Sequence, residues 1–178
     1  MARLQEMSAD DDVAARIRAR RGGSLRPLDT MLLHSPPVAD GWNELLGAIR
    51  RDTTLPADLR EIVVLRVAVL NDAPYEWDSH ELPARQAGLD DQHLAAIRAD
   101  EPGPPLSAMQ RLAVASTDAM TRGIRLPGPL FEALRANLTS RQVVELITTV
   151  AAYNMVSRVV VALEIASPAA TASPAAQA

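Results

Sequence analysis

The stretch ADLREIVVLRVAVLN, Ala57 to Asn71, constrains this chain more than any other. After a charged first turn it is apolar on nearly every side, and a helix of that kind is stable only where other helices cover most of it. Its β-branched residues would also suit a strand. Pro56 just ahead of it, the charged opening turn and a length of about four turns favour the helix. The rest of the chain must therefore supply helical partners.

It does so in short amphipathic segments separated by proline and glycine. Residues 11–20 form a weak helix stopped by Gly22-Gly23, and Leu28 to Leu33 forms a short one. Val38 to Ile49 places Trp42, Leu45, Leu46 and Ile49 on one stripe. The loop before Ala57 offers Thr53 or Thr54 as an N-cap. After the central helix, PYEWDSHELPARQAG has Pro74 for a first turn, Gly88 for a stop, and Pro83 as an internal kink or break. Further helices are expected over Asp90 to Arg98, over Leu106 to Gly123 with Met109, Leu112, Ala113 and Met120 on one face, over Pro129 to Leu138, and from Arg141 to about Ile165 behind Thr139 or Ser140 as cap. The fold class is all-α.

Composition removes several functions. The chain has no cysteine, which excludes disulfides, thiol nucleophiles and thiolate metal sites. Its formal charge of -4, with every basic residue an arginine, provides no basic stripe for nucleic acid; Arg18, Arg20 and Arg21 stand beside Asp10 to Asp12 as a solvated surface. The N-terminus lacks a signal-peptide core, and the uncharged stretch Leu146 to Ser157 is too short to cross a bilayer. A cytoplasmic protein with neither nucleic-acid nor membrane partner is expected.

The chemistry-bearing residues cluster near PYEWDSHELPARQAG. Glu76 and His80 are four apart, so on a helix they share a face, as an acid/base pair or as a plain salt bridge. Glu61 stands where its helix turns apolar; burial would raise its carboxyl pKa toward proton donation, or it pairs with Arg60 or Arg66. Arg66, Asn154 and Arg158 interrupt apolar runs, as an anion clamp or as buried structural pairs. Tyr75 and Tyr153 offer hydroxyls to a pocket, and Trp42 and Trp77 offer anchoring surfaces. Glu61, Glu76 and His80 could meet a metal on paper, but His34 and His93 lie elsewhere and no further ligand pair is present, so no metal site is expected.

Leu59 to Ala99, together with HSPPVADGWNELLGAIR and TVAAYNMVSRVVVALEI, resembles the carboxymuconolactone decarboxylase superfamily, which includes the alkylhydroperoxidase D-like proteins. The resemblance covers roughly residues 25–165, leaving 1–24 as an N-terminal extension with a weak helix and 166–178 as a disordered tail. It implies an alkylhydroperoxidase D-like helical bundle, single-domain and homo-oligomeric as a dimer, trimer or hexamer. Matched onto the peroxidase branch, its glutamate falls on Glu61, its histidine on His80 and its two cysteines on Ala73 and Glu76. Neither alanine nor glutamate can attack a peroxide or resolve a sulfenic acid, which excludes thiol peroxidase chemistry. The decarboxylase branch, which needs neither cysteine nor cofactor, has a YEW-like segment followed by the histidine. The resemblance therefore implies a cofactor-free lyase for a small unsaturated lactone or carboxylic acid. His80 would be the acid/base, Glu61 and Glu76 its partners, and Tyr75, Trp77, Tyr153, Asn154 and Arg158 substrate contacts. A related isomerase or hydrolase, or a non-catalytic ligand-binding member, is the alternative.

Overall fold

The structure, a computed structural model, describes residues 2–7 and 10–167, and the tail from residue 168 lies outside the described residues. The described residues hold nine α-helices and no strand: α1 (Asp12–Arg21), α2 (Pro27–Leu32), α3 (Pro36–Arg51), α4 (Ala57–Leu70), α5 (Pro74–Gln86), α6 (Asp91–Arg98), α7 (Ala108–Gly123), α8 (Gly128–Asn137) and α9 (Ser140–Ala162). They pack into two compact units, one of residues up to Thr53 with Ala162–Ala166, the other of Thr54–Val161 with Ser167. The weak helix expected in the N-terminal segment is α1, and it falls in the same unit as α2 and α3.

In the first unit, α1 and α2 both pack on α3. Trp42, Leu46 and Ile49 are buried as their spacing requires, whereas Leu45 is exposed and Ala39 and Asn43 complete the buried face. An ion pair between Arg21 and Asp29 at 2.8 Å fastens α1 to α2.

The second unit is built on α4, whose residues Leu59 and Glu61 to Ala68 are all buried. It packs against α5, α6 and α7, and α7 in turn carries α8. The buried face of α7 is Ala113, Val114, Ser116 and Thr117; of the expected face Met109, Leu112, Ala113 and Met120, only Ala113 is buried and the other three are half-buried. Small side chains let two helices approach closely, which explains why that face was chosen. α9 is long and apolar enough, by length and composition alone, to cross a bilayer, yet 56% of its apolar window is buried within the protein.

The helix ends follow local chemistry. Asp11, Asp90 and Ser107 cap α1, α6 and α7, and Thr139 with Gln142 closes a reciprocal cap on α9. Gly88 follows α5 at φ +94°, a backbone geometry that glycine adopts without strain. Two local expectations are corrected. α4 starts after Pro56 without a side-chain cap, because Thr53 instead donates to the Ile49 carbonyl and Thr54 binds Glu145. α5 continues through Pro83 to Gln86, so of the expected kink or break the break is excluded: one missing donor does not end a helix that packing holds.

Candidate active site

Because α4 and α5 lie side by side, Glu61 and His80, nineteen residues apart, meet in the second unit. His80 Nδ1 is 2.7 Å from Glu61 Oε2, and both side chains are almost wholly buried, at 7% and 4% exposure. A carboxylate only accepts hydrogen bonds, so Nδ1 carries the proton and donates it to Glu61. That leaves Nε2 to face the remaining groups. Tyr153 of α9 brings its hydroxyl within 3.2 Å of Nε2, with its ring edge-on to the imidazole at 5.1 Å. The neutral ring accepts from that hydroxyl, and the cation donates to it.

Glu76, one turn before His80, completes the cluster differently. Its Oε2 stands 3.8 Å from Nε2, within ion-pair range but beyond a hydrogen bond. The residue is buried at 2% exposure, and Oε2 has no hydrogen-bond partner among the described residues. The expected pairing of Glu76 with His80 is thus present but loose; the tight bond goes to Glu61.

The expectation of a raised Glu61 pKa is overturned. Burial alone would push the carboxyl up, but the hydrogen bond and charge of His80, with Arg60 donating to Oε1 at 3.2 Å, hold it below the ordinary carboxylate value. Glu61 is therefore an anion that orients the imidazole and stabilises its charged form.

Arg66 belongs to the structure of the bundle. Its Nε and Nη2 donate to Asp118 at 2.6 and 2.7 Å, and its Nη1 donates to the carbonyls of Ile97 and Ala99 at 2.8 and 2.7 Å. Asn154 likewise joins helix ends: its amide donates to Thr121 and to the Val150 carbonyl, and its oxygen accepts from Asn71 and Arg158. Arg158 is exposed and bonded to Asn154, so these two form a clasp with each other. Tyr75 is buried at 3% exposure.

Trp77 marks a separate feature. A cleft of about 280 Å³ is lined by Ala68 and Val69 of α4, Asp72 and Ala73 of the following turn, Pro74, Trp77 and Asp78 of α5, and Arg98 of α6. Glu76 and His80 occupy one stripe of α5, and Trp77 lies about 100° further round the same helix. The dyad and the cleft therefore use adjoining faces. Trp77 Nε1 donates to Glu81 at 3.1 Å, and the Arg98 guanidinium carbon sits 3.5 Å from the centre of the indole ring. Arg60 is the partner of Glu61 that adjacency in sequence suggested, whereas Asp72 and Arg98 enter the site region without a sequence signal of their own; Arg98 reads locally as one more basic residue in a helix's last turn. Among the described residues, no group of three or more His, Asp or Glu side chains is arranged to hold a metal ion.

Residues 36–102 match the family model described as the carboxymuconolactone decarboxylase family. The structure is similar to that of an uncharacterized peroxidase-related protein from Ralstonia eutropha JMP134 with an alkylhydroperoxidase AhpD core: TM-score 0.81, 17% identity, 93% of this chain and 92% of that one. An uncharacterized peroxidase-related protein from Silicibacter sp. TM1040 gives 0.79 at 20% identity over 93% and 91% of the two chains. A protein of unknown function from Agrobacterium tumefaciens, assigned provisionally to antioxidant defence as AhpD, gives 0.71 at 21% identity over 78% of this chain and 95% of that one. Likeness at such identity establishes the alkylhydroperoxidase D-like fold. No curated protein sequence matches the chain.

Proposed function

We propose that this chain, a cysteine-less member of the carboxymuconolactone decarboxylase superfamily, is a cofactor-independent lyase. It would act by proton transfer on a small unsaturated lactone or carboxylic acid. The observation that carries this reading is the buried Glu61–His80 bond of 2.7 Å with an unpartnered Glu76 oxygen beside it. An imidazole held by an anionic carboxylate is suited to passing protons to and from a substrate.

When CO₂ leaves such an acid, the electron pair of the broken C–C bond moves into the conjugated carbonyl, giving an enolate-type anion that must be protonated at its far carbon. His80, as the cation stabilised by Glu61, gives that proton from Nε2. Tyr153 and Glu76, both facing Nε2, are the groups through which the ring regains it. The cleft adds support: its wall includes Ala73, the position onto which the peroxidase branch's first cysteine falls. Trp77 is the aromatic substrate contact in this reading, while Asn154 and Arg158 serve the helix clasp. Exposed Leu82, Val144 and Met155 suit the homo-oligomer that the resemblance implies.

A second reading, a ligand-binding member without catalysis, is favoured by one observation: the cleft is lined by residues other than the dyad. One experiment separates the two. Unsaturated lactone acids are screened for CO₂ release or ultraviolet change with the wild type and His80→Ala in parallel. Turnover by the wild type that falls at least about 100-fold in a folded His80→Ala protein supports the lyase. Undiminished turnover by His80→Ala rejects His80 as the acid, and saturable binding without turnover favours the second reading.

A further inference from the structure

We infer that the cleft at the head of α5 is a binding site for a small monocarboxylic acid, with Arg98 as its anion anchor. The inference deepens the proposed reading and rests on it for regarding the bound acid as a substrate.

Arg98 is held in an unusual way. Its guanidinium lies 3.5 Å over the Trp77 ring, yet it forms no hydrogen bond or ion pair with any described residue. Stacking occupies the face of the guanidinium and leaves its edge N–H groups available, and that edge is the fork that matches a carboxylate bidentately. The platform beneath is fixed, since Trp77 Nε1 donates to Glu81, which Arg85 holds in turn at 2.9 Å. Contrast Arg66, also in this unit, which is 1% exposed and commits four of its five N–H donors to Asp118 and two carbonyls.

The other walls define the ligand. Ala68, Val69, Ala73 and Pro74 present an apolar surface to a hydrocarbon body. The cleft, about 280 Å³, falls near the lower end of ligand pockets, so the ligand is small. Asp78 accepts from the Ser167 hydroxyl, and Asp72, at φ 48° in the turn, lines the same space with no hydrogen bond to its carboxylate among the described residues. Among the described residues, Arg98 is the only cation on a lining that already carries Asp72 and Asp78, and Glu81 also acts on it, so one ligand carboxylate can meet the guanidinium edge while a second would meet only repulsion.

The test uses three probes with one carbon skeleton: crotonate, its uncharged methyl ester, and fumarate, in which a carboxylate replaces the methyl group. Binding is read by calorimetry and intrinsic fluorescence on the full chain. Crotonate should bind saturably, with the ester and fumarate each weaker by roughly tenfold or more. Arg98→Gln should weaken crotonate by a similar factor, and Asp72→Asn should narrow the penalty on fumarate. His80→Gln should leave the crotonate Kd unchanged, which separates binding from chemistry. Equal crotonate affinity in Arg98→Gln and wild type, tighter binding of fumarate than of crotonate, or no saturable binding of crotonate would each overturn the site. If an acid is turned over with a KM that Arg98→Gln does not alter, the reaction stands and this site falls. If Arg98→Gln abolishes binding while no acid is turned over, the site stands and the lyase reading falls.

Discussion

Helix α4 buries two charged clusters, and they differ in how completely they are satisfied. Arg66 is 1% exposed and makes four hydrogen bonds, two to Asp118 and two to carbonyls at the end of α6. Less than two turns earlier on the same helix, Glu61 meets His80, where Glu76 leaves a buried oxygen without a hydrogen bond. A charge kept for structure is saturated, because each unmade hydrogen bond in a core costs roughly 1–3 kcal/mol. A cluster that leaves such a group unmade has free capacity for a proton or a ligand. In the proposed reading this contrast divides α4 into a structural half and a reactive half.

Replacing Arg66 by Met tests the structural half and should give the largest effect. It leaves two carbonyls unpaired and Asp118 with only the looser Arg122 pair at 3.6 Å, and a loss of about 3 kcal/mol is expected in urea unfolding. A near-neutral result would mean that the cluster contributes no net stability. Glu61→Gln tests the reactive half. Activity on an acid identified by the screen should fall on the order of 10²-fold, because an amide cannot stabilise the imidazolium as a carboxylate does. The same variant has a pH signature. The folded pKa of Glu61 is lowered, so its contribution to stability is fully present above the unfolded carboxyl value, about 4.3, and is lost as pH falls through the folded value. Unfolding midpoints measured from pH 7 down to pH 3 should therefore fall more steeply for the wild type than for Glu61→Gln. Parallel curves would show that the pair is not linked to folding.

Tyr153→Phe removes one hydrogen bond to His80 and should cost about 1 kcal/mol in thermal or urea unfolding. The smallest effect is expected from Glu76→Gln: the shape is kept and no hydrogen bond to Oε2 is lost, so stability should stay within about 1 kcal/mol. If activity also stays unchanged, Glu76 only fills the space; a fall in turnover at constant stability makes it part of the proton path.

The helices were legible because their signals are local. Pro74, Gly88, Asp90 and Thr139 act within a turn of themselves, and the structure begins or ends helices at each. Thr53 and Thr54 show the limit: they look like caps, but the Ile49 carbonyl and Glu145 claim their hydroxyls first. The site was half legible. The nineteen-residue spacing of Glu61 and His80 was visible through the resemblance, whereas the partners that decide their behaviour come from other helices. Asp118 is 52 residues from Arg66, and Tyr153 is 73 from His80. No periodicity records such pairings.

The sequence by itself determined an all-helical chain with one helix apolar on nearly every side, and the absence of cysteine determined that no thiol chemistry is available to it. Only the tertiary structure decided that Glu61 is an anion rather than a proton donor, that Arg66 is spoken for, and that Arg98 lies over Trp77 with no hydrogen bond to any described residue. The reason is physical: helix formation depends on neighbours a few residues away, but the charge state and spare hydrogen bonds of a buried group depend on whatever the packing of distant helices places against it.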